Sequence, residues 1–270
     1  MTKILFTDID GTLLDDYKQI PPKNQQAINE LIANGHKIVL TTGRALSGTV
    51  GQAEKLGLTF DGCYIIAFNG AEIYDTYRKK TLYKCRIPFD IVSRIFALCE
   101  KHGVHVQTYD DKYVLAKEDN AYLQRYCKEI VCQAQIDPEL PHSLKEEPCK
   151  LLLLSYDDPD YLEEMRRLIL ETEGEFVDSF FSSKGLLEVV LKGTNKGNAI
   201  KRLCDILEIS LENSVGAGDG YNDIALIETA HVGAAMKNAV TEVKEVADYV
   251  TEADNNEGGL AEVIKKFILN

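Results

Sequence analysis

Residues 3–14, Lys-Ile-Leu-Phe-Thr-Asp-Ile-Asp-Gly-Thr-Leu-Leu, constrain this chain more than any other stretch. A short apolar run with β-branched and aromatic members is the pattern of a buried strand. It ends in two acids spaced i, i+2, followed by Gly11 and Thr12. On a regular strand Asp8 and Asp10 face the same way, and Gly11 lets the backbone turn directly after them. Two carboxylates beside a turn at a strand's carboxyl end suit a divalent cation and a phosphate. Mg²⁺ takes one or two carboxylates and fills its shell with water and phosphate oxygens, and open α/β sheets bind ligands beyond the carboxyl ends of their strands. The plainer reading is a simple turn, since Asp and Gly start turns for local reasons. A calcium loop is excluded, because its sixth-position glycine would fall on Leu13.

The chain then alternates. Pro21-Pro22 precede a helical pattern through Ile28, Leu31 and Ile32 that Asn34-Gly35 stops. Lys37–Leu40 reads as a second buried strand, ending in Thr41-Thr42-Gly43-Arg44, and a helix runs to about Leu56. Tyr64–Phe68 reads as a third strand, ending at Asn69-Gly70. Such βαβαβ alternation predicts a parallel, helix-covered sheet. The rhythm changes after Gly70. A hairpin pairs residues 72–74 with 81–83, a helix covers 89–101, and strands lie near 104–109 and 113–116. A helix from Asn120 to Val131, a polar loop over 137–148, a strand at 151–154, a helix at 160–171 and a strand pair at 176–181 and 186–191 follow. Mixed strand pairs and helices predict an α+β insert. From Gly193 the first rhythm returns: a helix at 196–207, a strand at 214–217, a helix opened by Asp219-Gly220-Tyr221-Asn222-Asp223, short strands at 232–235 and 249–251, and an amphipathic closing helix at 260–269. The expected architecture is α/β: a parallel-sheet core domain of residues 1–83 and 189–270, with an inserted α+β domain of residues 84–188.

At 270 residues and 45% hydrophobic content the chain can build two modest domains with real cores. Its net charge of −13 speaks against a general nucleic-acid or acidic-membrane binder. An anionic substrate must therefore be held by a local site, with a metal, rather than by a broad basic surface. The seven cysteines form no CxxC pair, and Cys99 and Cys204 sit within apolar patterns, as buried thiols of a reducing compartment do. The amino terminus enters a strand with no charged-then-apolar leader, and no apolar run reaches membrane-spanning length. The expectation is a cytoplasmic protein with no nucleic-acid, membrane or obligate protein partner.

Four polar clusters fall at strand ends or helix starts of the split domain: Asp8/Asp10, Thr42-Gly43-Arg44, Lys196, and Asp219 through Asp223. Each has a bland reading. Thr42 before glycine caps helices, a lone lysine is usually a solvated charge, and acids at a helix start are favoured by its dipole. Gly216, Gly218 and Gly220 are not a dinucleotide loop, because its third glycine would be Tyr221; Gly193-Thr194-Asn195-Lys196-Gly197 is not a P-loop, because Lys precedes Gly. Asp15 and Asp16 read as solvated loop acids. The separate readings are ordinary, but their occurrence together and in this order is not.

Asp8-Ile9-Asp10-Gly11-Thr12, Thr42-Gly43-Arg44, Lys196 and Gly218-Asp219-Gly220-Tyr221-Asn222-Asp223 resemble the four ordered motifs of the haloacid dehalogenase-like phosphatases. Asn69-Gly70-Ala71, the late insert and Met236-Lys237-Asn238-Ala239 narrow the resemblance to the Cof-type sugar-phosphate phosphatases, with a type IIB cap. It covers essentially the whole chain. It implies a Rossmann-like core, an α+β cap that closes over the site and selects the substrate, and Mg²⁺-dependent hydrolysis of small phosphorylated metabolites, sugar phosphates foremost, through an aspartyl phosphate. On that resemblance Asp8 is the nucleophile and Asp10 the general acid and base. Asp8, the Asp10 main-chain carbonyl and Asp219 hold the metal. Thr42, Gly43, Lys196 and Asn222 bind phosphate. Asp223 supports these ligands from behind, and Arg44 and Asn69 lie behind them or touch substrate. In the cap, Lys184, Tyr109, Tyr113 and Arg125 are expected at the surface. A phosphosugar mutase, using similar motifs, and a silent phospho-ligand binder are the alternatives; a dinucleotide oxidoreductase is more distant.

Overall fold

A computed structural model describes residues 1–110, 112–130 and 132–270. The first strand, β1 (Ile4–Asp8), is buried at every residue, as expected of a central parallel strand covered on both faces. Helix α1 (Pro22–Ala33) opens with a proline that needs no N–H partner there. It buries Ala27, Ile28 and Leu31, and the chain turns at Gly35 in a left-handed conformation. Strand β2 (Lys37–Thr41), helix α2 (Leu46–Lys55) and strand β3 (Cys63–Ala67) complete the alternation. A tight turn at Phe68–Gly70 reverses the chain into β4 (Glu72–Asp75), antiparallel to β3, followed by β5 (Lys80–Lys84).

Contacts divide the chain into two units, Met1–Tyr83 with Asn195–Asn270, and Lys84–Thr194. The second unit begins with α3 (Phe89–His102), whose buried face is Ile91, Val92, Ile95, Phe96 and Cys99, and which Gly103 ends with φ +66. Strands β6 (His105–Tyr109) and β7 (Val114–Ala116), helix α4 (Ala121–Ile130) and strand β8 (Ala134–Ile136) follow. Val131, where the sequence places the end of α4, lies outside the described residues. Strand β9 (Lys150–Leu154), helix α5 (Pro159–Glu173) and strands β10 (Val177–Ser183) and β11 (Leu186–Leu191) complete the unit. Among the described residues its six-stranded sheet runs β10-β11-β9-β6-β7-β8. The sheet packs Val106, Leu151, Leu153, Leu187 and Val189 against α3 and the Leu162, Met165 and Ile169 face of α5. Because β11 pairs with β9 and β10 along its length, the unit keeps residues past 188. Tyr109 is not at the surface: it is buried, with its hydroxyl 2.8 Å from that of Tyr126.

The first unit resumes with α6 (Lys196–Ile206), β12 (Ser214–Gly218), a 3-10 turn at Tyr221–Asp223 and α7 (Ile224–Thr229). Strand β13 (Val232–Ala235), helix α8 (Thr241–Val246), strand β14 (Tyr249–Val250) and helix α9 (Gly259–Val263) follow, the last running into a wider turn at Ile264–Ile268. Among the described residues the sheet order is β14-β13-β12-β1-β2-β3-β4-β5, and strands β14 through β3 in that order pair in parallel. The Rossmann-like core expected from the βαβ rhythm is therefore present. Among the described residues no helix is long and apolar enough to cross a membrane.

Candidate active site

Register decides where the polar clusters meet. Asp8 lies opposite Thr41, and Thr7 opposite Ala217, so β1, β2 and β12 end side by side at their carboxyl ends. Asp8 is the last residue of β1 and only 8% exposed. Lys196 is the first residue of α6, which Asn195 caps by accepting a hydrogen bond from the Asn198 N–H at 2.8 Å. Helices α6 and α7 approach closely because residue 197 is glycine; a Cβ there would run into the Ala225 carbonyl and the Thr229 hydroxyl. Lys196 therefore enters the site fully buried, with Nζ 2.5 Å from Asp8 Oδ1 and 2.5 Å from Asp223 Oδ1. The other oxygen of Asp223 accepts the backbone N–H groups of Asp219 and Gly220 at 3.1 and 3.0 Å. Asp219 Oδ1 accepts from the Thr12 hydroxyl at 2.7 Å. Gly11, at φ +80, has no room for a side chain against the Asp219 carboxylate.

Asp8, Asp219 and Asp223 offer oxygens within 4.8 Å of one another. Three carboxylates face one buried ammonium, and the electrostatics follow. Burial pushes the Asp8 carboxyl well above its usual range; Lys196 opposes this, and Asp223 and Asp219 add to it. Asp219 is raised to about 6, chiefly by burial, with the Thr12 hydrogen bond opposing and Asp223 adding to the rise. Burial alone would lower Lys196, but its pairs with Asp223 and Asp8 outweigh that and raise it. An excess of negative charge on oxygen donors is the setting for a hard divalent cation. Asp223 has both oxygens engaged, by Lys196 and the two N–H groups, and so is the most committed of the three; Asp8 and Asp219 are engaged through Oδ1, by Lys196 and Thr12.

The same-face expectation for Asp8 and Asp10 needs correction. Strand β1 stops at Asp8, the chain turns, and the Asp10 side chain is not part of the carboxylate cluster. It is turned to Arg44 Nη2, 2.8 Å from Oδ1 and 2.7 Å from Oδ2, and to Lys18 Nζ, 2.7 Å from Oδ1. Thr42 does not cap α2, whose capping position is Ala45. Its Oγ1 accepts the Arg44 N–H at 3.1 Å, which leaves the hydroxyl proton to donate. The turn after β3 is pinned to this segment by Asn69 N to Thr42 O at 2.9 Å and Phe68 N to Arg44 O at 3.0 Å. Asn69 Oδ1 accepts from Asn222 Nδ2 at 3.0 Å, and the Asn69 amide also lies against Gly43, where a Cβ would come to 3.0 Å.

The sequence reading missed Lys18. It also missed the anchoring of the acid turn by Asn238 Nδ2 to Gly11 O at 2.8 Å, and of Leu14 O by Asn255 Nδ2 at 3.0 Å. Asn238 carried a signal, standing in the Met236-Lys237-Asn238-Ala239 run that narrowed the resemblance. Asp15 is no idle loop acid, since its carboxylate accepts the N–H groups of Tyr17 and Gln19.

Residues 5–264 match the haloacid dehalogenase-like hydrolase family. The chain belongs to that family. Its relatives include the 5-amino-6-(5-phospho-D-ribitylamino)uracil phosphatase YcsE of Bacillus subtilis, 32% identical over 99% of this chain and 96% of its own length. Among solved structures, a haloacid dehalogenase-like hydrolase from Bacteroides thetaiotaomicron superposes with a TM-score of 0.88 at 27% identity, over 98% of this chain and 99% of the other. BT4131, described as a subclass IIB sugar phosphatase, superposes with a TM-score of 0.84 at 27% identity, over 98% and 99%. The protein is a phosphatase of the haloacid dehalogenase-like hydrolases, subclass IIB.

Proposed function

We propose that this phosphatase hydrolyses small phosphate monoesters of polyhydroxylated compounds, sugar phosphates foremost, with Mg²⁺ and through an aspartyl phosphate on Asp8, and that it works in the cytoplasm. The observation that carries the reading is the pairing of buried Lys196 with Asp8 beside Asp219. It supports a nucleophilic carboxylate held next to an ammonium where a phosphoryl group can be received. An Asp8 oxygen attacks phosphorus, and the bond from phosphorus to the leaving oxygen breaks while Asp10 gives that oxygen a proton. Asp10 then takes a proton from the water that attacks the aspartyl phosphate, which frees inorganic phosphate and restores Asp8. Lys196, the Thr42 hydroxyl, the Gly43 N–H and Asn222 bind the phosphoryl oxygens, where positioning and electrostatics carry most of the catalysis. Mg²⁺, held by Asp8, the Asp10 main-chain carbonyl and Asp219, would neutralise charge so that an anionic nucleophile can meet an anionic substrate.

The substrate class is supported by two relatives. BT4131 is described as a sugar phosphatase, and YcsE is named for a phosphate on a ribityl chain; both suggest phosphate on a polyol. Substrate choice is assigned to the inserted unit. Cys63, Cys99 and Cys204, buried thiols within the apolar cores, support a reducing cytoplasmic setting. The test is phosphate release from p-nitrophenyl phosphate and a panel of sugar phosphates, with and without Mg²⁺, for the wild type and Asp8→Asn. Mg²⁺-dependent release that the substitution abolishes is expected. Release by Asp8→Asn comparable to wild type would sink the nucleophile assignment, and label moving between positions of a sugar phosphate without release would point to a mutase.

A further inference from the structure

The loop after the acid turn is built, not slack. Asp15 Oδ1 accepts the N–H groups of Tyr17 and Gln19 at 2.9 and 2.8 Å. The main chain closes on itself through Asp15 N to Gln19 O at 2.9 Å and Lys18 N to Asp15 O at 3.0 Å. Two neighbouring side chains hold it: Asn255 Nδ2 donates to Leu14 O at 3.0 Å, and Asn256 Oδ1 accepts from Asp16 N at 3.0 Å. At the bend stands Lys18, with φ +62. That left-handed conformation is uncommon for a residue with a Cβ, and such positions cluster at functional sites. A loop that only had to turn would be better served by glycine or asparagine there.

What lysine adds is its ammonium, 2.7 Å from Asp10 Oδ1. Arg44 meets the same carboxylate from another segment, across both oxygens. The side chains of Lys18 and Asp10 are 58% and 34% exposed, and exposed pairs add little to stability, so stability alone does not account for a strained lysine here. Two cations from two segments do fix the plane and direction of a carboxylate. Oδ1 carries two cationic donors and Oδ2 one.

We propose that Lys18 is a positioning residue for the acid–base step, fixing with Arg44 the Asp10 carboxylate that serves the leaving oxygen. The proposal rests on the assignment of Asp10 as general acid and base. Small errors in the placing of a reacting group are expensive in rate, and a positioned general acid supplies roughly 10²–10⁴-fold. The benefit depends on the leaving group: an alkoxide must be protonated as it departs, whereas p-nitrophenolate departs unaided.

Lys18→Asn removes the ammonium and keeps a residue that tolerates positive φ; Lys18→Arg keeps a cation. The readout is kcat/KM, which covers the steps through departure of the leaving group, on p-nitrophenyl phosphate and on the best sugar phosphate of the panel. Lys18→Asn is expected to lose about tenfold on the sugar phosphate, part of the general acid's contribution. On p-nitrophenyl phosphate it is expected to stay within about twofold of wild type, and Lys18→Arg to recover most of the loss. Equal losses on both substrates, or none on either, would overturn the role of Lys18. Asp10→Asn, measured alongside, separates the two readings. A loss selective for the sugar phosphate in Asp10→Asn but absent from Lys18→Asn removes only the role of Lys18. No selective loss in Asp10→Asn removes the acid–base assignment, and the role of Lys18 with it.

Discussion

Lys196 Nζ lies 2.5 Å from Asp8 Oδ1 with the lysine side chain wholly out of solvent. A buried ammonium persists only when paired, and this one is shared with Asp223. Removing one partner of a buried ion pair typically costs about 3–5 kcal/mol, because the remaining charge has lost both water and its counter-ion. Lys196→Met should therefore lower the urea midpoint by a corresponding amount as well as abolish activity. Adding Asp8→Asn to that variant should return about 1 kcal/mol or more, since contacting charges couple by roughly 0.5–3 kcal/mol. A single variant that unfolds at the wild-type midpoint would show that the pair contributes nothing to the fold.

Asp219 inverts the usual relation of a site residue to stability. Its pKa is raised from 3.8 to about 6, so its ionised form is penalised in the folded state. The penalty is absent below about pH 4, grows through the interval and is complete above about pH 6. The substitution Asp219→Asn removes the penalty at every pH, because an amide does not ionise, and it keeps an oxygen to accept from Thr12. In metal-free buffer at pH 7.5 the Asp219→Asn protein should melt above wild type, with the difference closing as the pH approaches 4. Added Mg²⁺ should raise the melting temperature of wild type by mass action and leave the variant unmoved. A variant that melts below wild type at pH 7.5 would contradict the charge excess.

The apolar pattern made much of this legible, and it did so through strand ends. Strands β1, β2 and β12 run through apolar or small residues, after Lys37 in β2, to where they stop, so strand reading places Asp8, Thr42 and Asp219 at strand ends, and the parallel register brings those ends together. The helix pattern placed Lys196 at a helix start, and only the resemblance of the ordered motifs placed it at the site. What escaped depends on contacts without a period. Lys18 reaches Asp10 through a left-handed bend eight residues on. The side chain of Asp10 does not share the face of Asp8 because the strand ends two residues before it. Strand β8 is exposed at all of its residues and so shows no alternation, and α8 buries a single valine, Val243. Tyr109 looked like a surface aromatic, yet it is buried with its hydroxyl on Tyr126.

On the proposed metal site, protons and Mg²⁺ compete for the same carboxylates. Because Asp219 is raised to about 6 and Asp8 well above its ordinary range, protons contend for the site at a higher pH than for exposed acids. Metal ligands must be deprotonated. The apparent Mg²⁺ affinity, followed by titration of the melting temperature, should fall at least about tenfold per unit below pH 6 through Asp219 alone, and more steeply where Asp8 is protonated as well. An affinity unchanged down to pH 5 would place the cation elsewhere.

Phe68, Asn69 and Gly70 take positive φ in succession, at +50, +54 and +114, and Asn69 holds Asn222 by a 3.0 Å hydrogen bond. Two substitutions separate the backbone from the side chain. Asn69→Gly suits the left-handed conformation and loses the amide; Asn69→Ala loses the amide and suits it poorly. The alanine protein should be less stable than the glycine protein by about 1 kcal/mol. Both lose the same acceptor for Asn222, so if Asn222 binds phosphate both should raise KM by the same factor. Melting temperatures that split while KM values rise together would assign the strain to the turn and the amide to the site. A wild-type KM in Asn69→Gly would mean that Asn222 keeps its orientation without Asn69.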